Sequence, residues 1–73
     1  MTFIDEVREE LESARKKHPP INSLHEGYAV ILEEMDEFKA EVWKRASARD
    51  LKNCYIELKQ IAAMCARTAE DCL

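Results

Sequence analysis

Five acidic side chains crowd the eleven residues from Leu32 to Val42: Glu33, Glu34, Asp36, Glu37 and Glu41. Glu34 and Glu37 stand three residues apart, a spacing that stacks two carboxylates one above the other on a helix and lets them share an ion. Further along the chain Glu57 offers a third carboxylate, and Gln60, again three residues later, a neutral oxygen. Oxygen donors of this kind suit a hard divalent cation such as Mg²⁺, which wants near-octahedral geometry and keeps several of its waters. A plainer reading fits the same residues. Glutamate is a strong helix former, and E-E-x-x-E strings are common on solvated helix faces. Like charges at this spacing repel unless something neutralises them. Spacing alone leaves both readings open.

The elements that would have to position these groups are three helices. The first is predicted over about Phe3 to Lys17. Thr2 with Asp5 resembles a capping box, and Ile4, Val7, Leu11 and Ala14 recur at helical spacing. His18-Pro19-Pro20 stops it, because the residue before a proline is pushed out of the α region. The second helix is predicted from a Ser23-Leu24-His25-Glu26 capping box to about Arg45, and the third from near Ser47 to about Asp71. So short a joint around Ala46 and Ser47 predicts an antiparallel hairpin of helices two and three.

Helix two carries two stripes. Leu24, Tyr28, Ile31, Met35, Phe38 and Val42 form an apolar line with the rhythm of a packing seam. Gly27, Val30, Glu34, Glu37 and Glu41 form a second line on its flank. On helix three the seam is Leu51, Cys54, Leu58, Ile61, Cys65 and Cys72, flanked by Asn53, Glu57, Gln60, Met64, Arg67 and Asp71. Glu34/Glu37 and Glu57/Gln60 both fall near mid-helix, and mid-helix positions face each other in an antiparallel hairpin. This agreement is the strongest argument from spacing for a shared site.

Glu33-Glu34-Met35-Asp36-Glu37 matches an E-E-x-x-E motif, and Glu57-Leu58-Lys59-Gln60 resembles its E-x-x-D companion. With the flanking stretches from Leu24 to Leu32 and from Ala62 to Arg67, the chain resembles the MazG-like all-α nucleoside triphosphate pyrophosphohydrolases, in particular their short phage and mobile-element forms. The resemblance spans roughly residues 20 to 68. It implies hydrolysis of a nucleoside triphosphate, including deoxy forms, to monophosphate and pyrophosphate, with Mg²⁺ (or Mn²⁺ in its place) on the paired helices. It also implies a homo-dimer or tetramer. Carried over, Glu34, Glu37 and Glu57 are metal ligands, with Gln60 at the fourth position, and Glu33 helps to position the attacking water. Gln60 departs from the pattern: where the family has Asp, it offers an oxygen without a charge and cannot act as a base. Arg67 and Lys39 are the candidate phosphate contacts, together with Lys44. The alternative is a non-catalytic helical homo-oligomer that keeps this scaffold for binding.

The bulk composition bounds these readings. Seventy-three residues make a single domain, 1–73, whose core as a monomer is small, so partner chains are expected to complete an oligomeric all-α bundle. A net charge of −4 gives no basic footprint for nucleic acid. No apolar run reaches a membrane span, and the charged N-terminus has no apolar h-region, which points to the cytoplasm. Cys54, Cys65 and Cys72 lie too far apart along one helix for disulfides and read as apolar fillers. Trp43 reads as a packing or interface residue with base stacking as its alternative, His25 as a surface residue and His18 as a helix-end residue.

Overall fold

The computed structural model describes all 73 residues and is all-helical: α1 over Phe3–Lys17, α2 over Leu24–Val42 and α3 over Leu51–Cys72. Capping fixes the start of α1. The Thr2 hydroxyl accepts from the Asp5 N–H while the Asp5 carboxylate accepts from the Thr2 N–H, so two orphan donors are satisfied reciprocally. At α2 only half of the expected box forms. Ser23 Oγ accepts from the Glu26 N–H at 3.1 Å, whereas the Glu26 carboxylate turns to Asn22, accepting from its backbone and side-chain amides.

The connection between α2 and α3 is longer than the sequence predicts. The second helix stops at Val42 rather than near Arg45, and α3 starts at Leu51 rather than near Ser47. Asp50, not Ser47, is the N-cap, its carboxylate accepting from the N–H groups of Lys52 and Asn53. Glu41 holds the connection in place. Its carboxylate accepts from the Asp50 N–H at 3.2 Å, from Lys44 Nζ at 3.1 Å and from Asn53 Nδ2 at 3.4 Å. Arg49 adds a 2.6 Å bond to the Val42 carbonyl.

The third helix is the centre of the molecule. The most extensive packing is between α2 and α3, α1 packs on the other flank of α3, and α1 and α2 do not approach each other. Rising residue numbers on α2 meet falling numbers on α3: Gly27 lies against Thr68, Glu34 near Glu57, Glu41 against Asn53. Gly27 permits the closest approach, because a Cβ there would overlap the Thr68 side chain, with Oγ1 only 2.6 Å away. The first helix is tied down by Arg15, which pairs with Glu70 at 2.7 Å and Asp71 at 2.8 Å, and by the Ile21 N–H donating to Asp71. Phe3 also stacks edge to face on Tyr55, whose hydroxyl donates to Glu6.

The core is small. Ala14, Ala63 and Met64 are buried, with Val7, Leu11, Val30 and Ile31 against them, and no large side chain is completely buried. The expected seam does not line the α2–α3 contact along its whole length. Leu24, Tyr28 and Met35 are exposed, as are Leu51, Leu58 and Cys65 on α3. The flanking line turns inward instead, with Gly27 and Glu41 buried on α2 and Met64 and Arg67 on α3. No helix is long and apolar enough to cross a membrane, and all three cysteines are free.

Candidate metal centre

Because the flanking lines face each other, acids from two helices meet. One carboxylate oxygen from each of Glu34, Glu37 and Glu57 lies within 4.8 Å of the others. Around an octahedral Mg²⁺, bound at ~2.1 Å, neighbouring oxygens stand about 3 Å apart and opposite ones about 4.2 Å, so the three side chains have to draw closer to share one ion.

The electrostatics separate this triad from an ordinary acidic face. Glu34 is half-buried, and burial, then repulsion from Glu37, raises its carboxyl from the usual 4.5 to about 7. Glu57 is also raised, chiefly by burial and then by its contact with Glu37. Each of these two residues has a buried Oε2 with no hydrogen-bond partner. Glu41, on the same line of α2, shows the opposite condition. Three protein donors satisfy it, and the Asp50 N–H, followed by Lys44, lowers its carboxyl below the usual glutamate value. One acid of the line has been supplied with donors by the fold, while Glu34 and Glu57 are left with oxygens to offer. The residues present fit a hard divalent cation.

Beside the triad a cleft of about 520 Å³ opens, floored by α3 and walled by α1 and α2, because those two helices flank α3 without meeting. Glu33, Glu34 and Gln60 line it, which puts the exposed Glu33 and the half-buried Gln60 next to the triad rather than within it. Arg67 lines the same cleft and is only 5 % exposed. Lys39 is exposed and stands outside the cleft, and Lys44 is committed to Glu41. Trp43, at the C-cap of α2, is 76 % exposed. His25 is exposed in a shallow depression with Leu24 and Tyr28.

Comparisons with protein-family models, with curated proteins and with solved structures find no match.

Three features escape sequence reasoning. Lys17 and His18, at the end of α1, form part of the cleft wall. Glu41 has a structural role that depends on Asp50 and Asn53, nine and twelve residues away. The third is the inward turn of the acidic line. The chain's single glycine was an available signal for it, since a lone glycine inside a helix marks a place where another element comes close.

Proposed function

We propose that this chain is a Mg²⁺-dependent nucleoside triphosphate pyrophosphohydrolase of the MazG-like type. In this reading it cleaves a (deoxy)nucleoside triphosphate to the monophosphate and pyrophosphate, with activity weakened by Gln60. The observation that carries it is the pair of buried, unpartnered oxygens on Glu34 of α2 and Glu57 of the facing α3, converging with Glu37 of α2. Glu34, Glu37 and Glu57 are the residues to hold the cation, with Gln60 beside them in the cleft wall. When bound, Mg²⁺ supplies charge neutralisation on the phosphates and a more acidic water. Glu33, which lines the cleft, would accept a hydrogen bond from the attacking water and orient it. The net reaction adds that water across the phosphoanhydride, and pyrophosphate leaves.

The antiparallel hairpin of α2 and α3 belongs to this reading, supported by the pairs Gly27–Thr68, Glu34–Glu57 and Glu41–Asn53. A cytoplasmic location belongs to it too, supported by the three free cysteines. So does assembly into a homo-dimer or tetramer. Only seven residues of 73 are buried, while Leu24, Tyr28, Met35, Leu51 and Leu58 remain exposed, so a second copy has apolar surface to cover.

Purified protein with Mg²⁺ is expected to release pyrophosphate from at least one deoxynucleoside triphosphate, and Glu37→Gln is expected to abolish the release. Absence of both release and a Mg²⁺-dependent thermal shift leaves the second reading, a non-catalytic helical homo-oligomer. Gln60, an uncharged residue at the fourth position, favours that alternative. Light scattering tests the assembly separately: a folded monomer at micromolar concentration refutes it.

A further inference from the structure

The joint between α2 and α3 is charged against the rest of the molecule. The ten residues from Trp43 to Lys52 carry Lys44, Arg45, Arg49 and Lys52 against the single acid Asp50, a net +3 in a chain of −4, so the other 63 residues carry −7. Large apolar side chains stand among these cations: Trp43 is 76 % exposed and Leu51 73 %. They flank the joint, next in the chain to Val42 and Asp50, which Arg49 and Glu41 fasten in place. Lys39, one helical turn before Trp43, is exposed on the same face of α2. The acids at this end are occupied by the fold. Glu41 is buried and takes Lys44 with the Asp50 N–H, Asp50 caps α3, Asp5 caps α1, and Glu6 accepts from the Tyr55 hydroxyl. Asp36, exposed on the same face as Trp43, lies seven residues back, about 10 Å along the helix. Lys44 is matched by Glu41 and Arg49 is bonded to the Val42 carbonyl, so Lys39, Arg45 and Lys52 are the cations left without an ion pair.

We infer that this end docks on an anionic lipid bilayer, with Trp43 and Leu51 entering the headgroup layer and Lys39, Arg45 and Lys52 contacting lipid phosphates. An amphipathic indole belongs at that depth, and basic side chains beside it are drawn to anionic headgroups. Docking of this kind needs no membrane-crossing helix, and none is present. A flat surface also suits the distribution of charge. The third helix spans about 33 Å, so an end-on contact keeps Glu70 and Asp71 several Debye lengths of ~8 Å from the lipid. The carboxylate triad is the nearest opposing cluster, with Glu57 about 9 Å behind Leu51 along α3, roughly one Debye length. A nucleic-acid strand fits less well, since it requires a track of cations and rings for successive bases. Here one indole stands beside an aliphatic side chain, and a strand that followed the molecule would meet the negative charge of the remainder. Nor does Trp43 belong to the apolar line offered to a second copy, because it lies about 100° round α2 from Val42.

Docking goes beyond the hydrolase reading and does not need it, so the full chain is tested in EDTA. Because Trp43 is the only tryptophan, its emission reports this surface alone. Phosphatidylcholine vesicles with about 30 mol % phosphatidylglycerol are expected to shift that emission to shorter wavelength, saturably, and to bind roughly tenfold more tightly than phosphatidylcholine alone. The double variant Arg45→Glu, Lys52→Glu is expected to weaken co-sedimentation with the anionic vesicles roughly tenfold, and Trp43→Ala roughly threefold. Circular dichroism checks the fold of each variant; if the double variant unfolds, Lys39→Glu decides, with an expected loss of roughly threefold. An unshifted emission, equal binding to the two kinds of vesicle, or a charge-reversed variant that binds like the wild type overturns the inference. A shift produced by raising the protein concentration without vesicles also overturns it, since Trp43 then lies between copies. So does tighter binding to a thymidine oligonucleotide than to the anionic vesicles, which assigns the surface to nucleic acid.

Discussion

Replacing Glu34 with Gln tests whether the triad is a site that stores repulsion or a solvated face. A carboxyl whose value rises from 4.5 to about 7 on folding is ionised in the unfolded chain and protonated in the folded one between those pH values. The folded state then binds more protons, so stability falls as pH rises through this window and stays low above it. The full shift corresponds to ~3 kcal/mol at most. Glu34 is not fully buried, and solvent screens its repulsion with the exposed Glu37, so about 1–2 kcal/mol is the working figure. Glutamine keeps the shape and removes the ionisation. In EDTA at pH 8, Glu34→Gln is therefore expected to raise the melting temperature, by roughly 5–10 °C for a domain of this size. At pH 4 it is expected to change little, because Glu34 is largely protonated in both states. Mg²⁺ is expected to raise the melting temperature of the wild-type chain at pH 8 and to leave the variant almost unmoved. Circular-dichroism melts at the two pH values, with and without Mg²⁺, give all of these comparisons. A variant that is neutral or less stable at pH 8 in EDTA refutes the reasoning, since a solvated glutamate has no repulsion to release.

Gly27→Ala carries two opposing effects: Ala is a better helix former by about 1 kcal/mol, but its Cβ runs into the Thr68 side chain. The clash is expected to win, lowering stability by about 1–2 kcal/mol in urea denaturation, and adding Thr68→Ala is expected to restore it. Glu41→Gln is expected to lower the melting temperature at pH 7 and to flatten its dependence on acid. The wild-type carboxyl is lowered in the folded state, so its contribution is present above the unfolded value and disappears as pH falls through the folded one. An unchanged acid profile in that variant refutes a structural role for Glu41.

How much of this was legible in the sequence depended on how local the deciding contact was. The first helix could be read from end to end, since Thr2 and Asp5 cap it within four residues and Pro19-Pro20 closes it from immediately beyond. The α2–α3 joint could not. Ser47 is as good a cap by type as Asp50, and the choice is made by Glu41 accepting from the Asp50 N–H across nine residues. Convergence of Glu34, Glu37 and Glu57 followed from their mid-helix positions. The partial burial of Glu34 and Glu57 did not, because an apolar line at seam spacing argues that it, not its acidic neighbour, faces the next helix.

That inversion decides how the molecule is best understood. Gly27 and Thr68 draw α2 against α3 at one end, and Glu41 with Asp50 and Asn53 fastens them at the other. Between these two anchors the helices present Glu34, Glu37 and Glu57 to one another. Two of these three carboxyls are raised, so the middle of the contact opposes the packing that its ends impose. A sequence selected for stability alone has a simple remedy, since a leucine at position 34 would remove the repulsion and enlarge a core that contains no completely buried large side chain. Keeping carboxylates there, while Leu24, Tyr28 and Met35 point to solvent, exchanges stability for a concentration of negative charge at mid-helix. In the proposed reading, a divalent cation would turn that charge from a cost into a bond, and the same exposed leucine, tyrosine and methionine would be covered by a second copy.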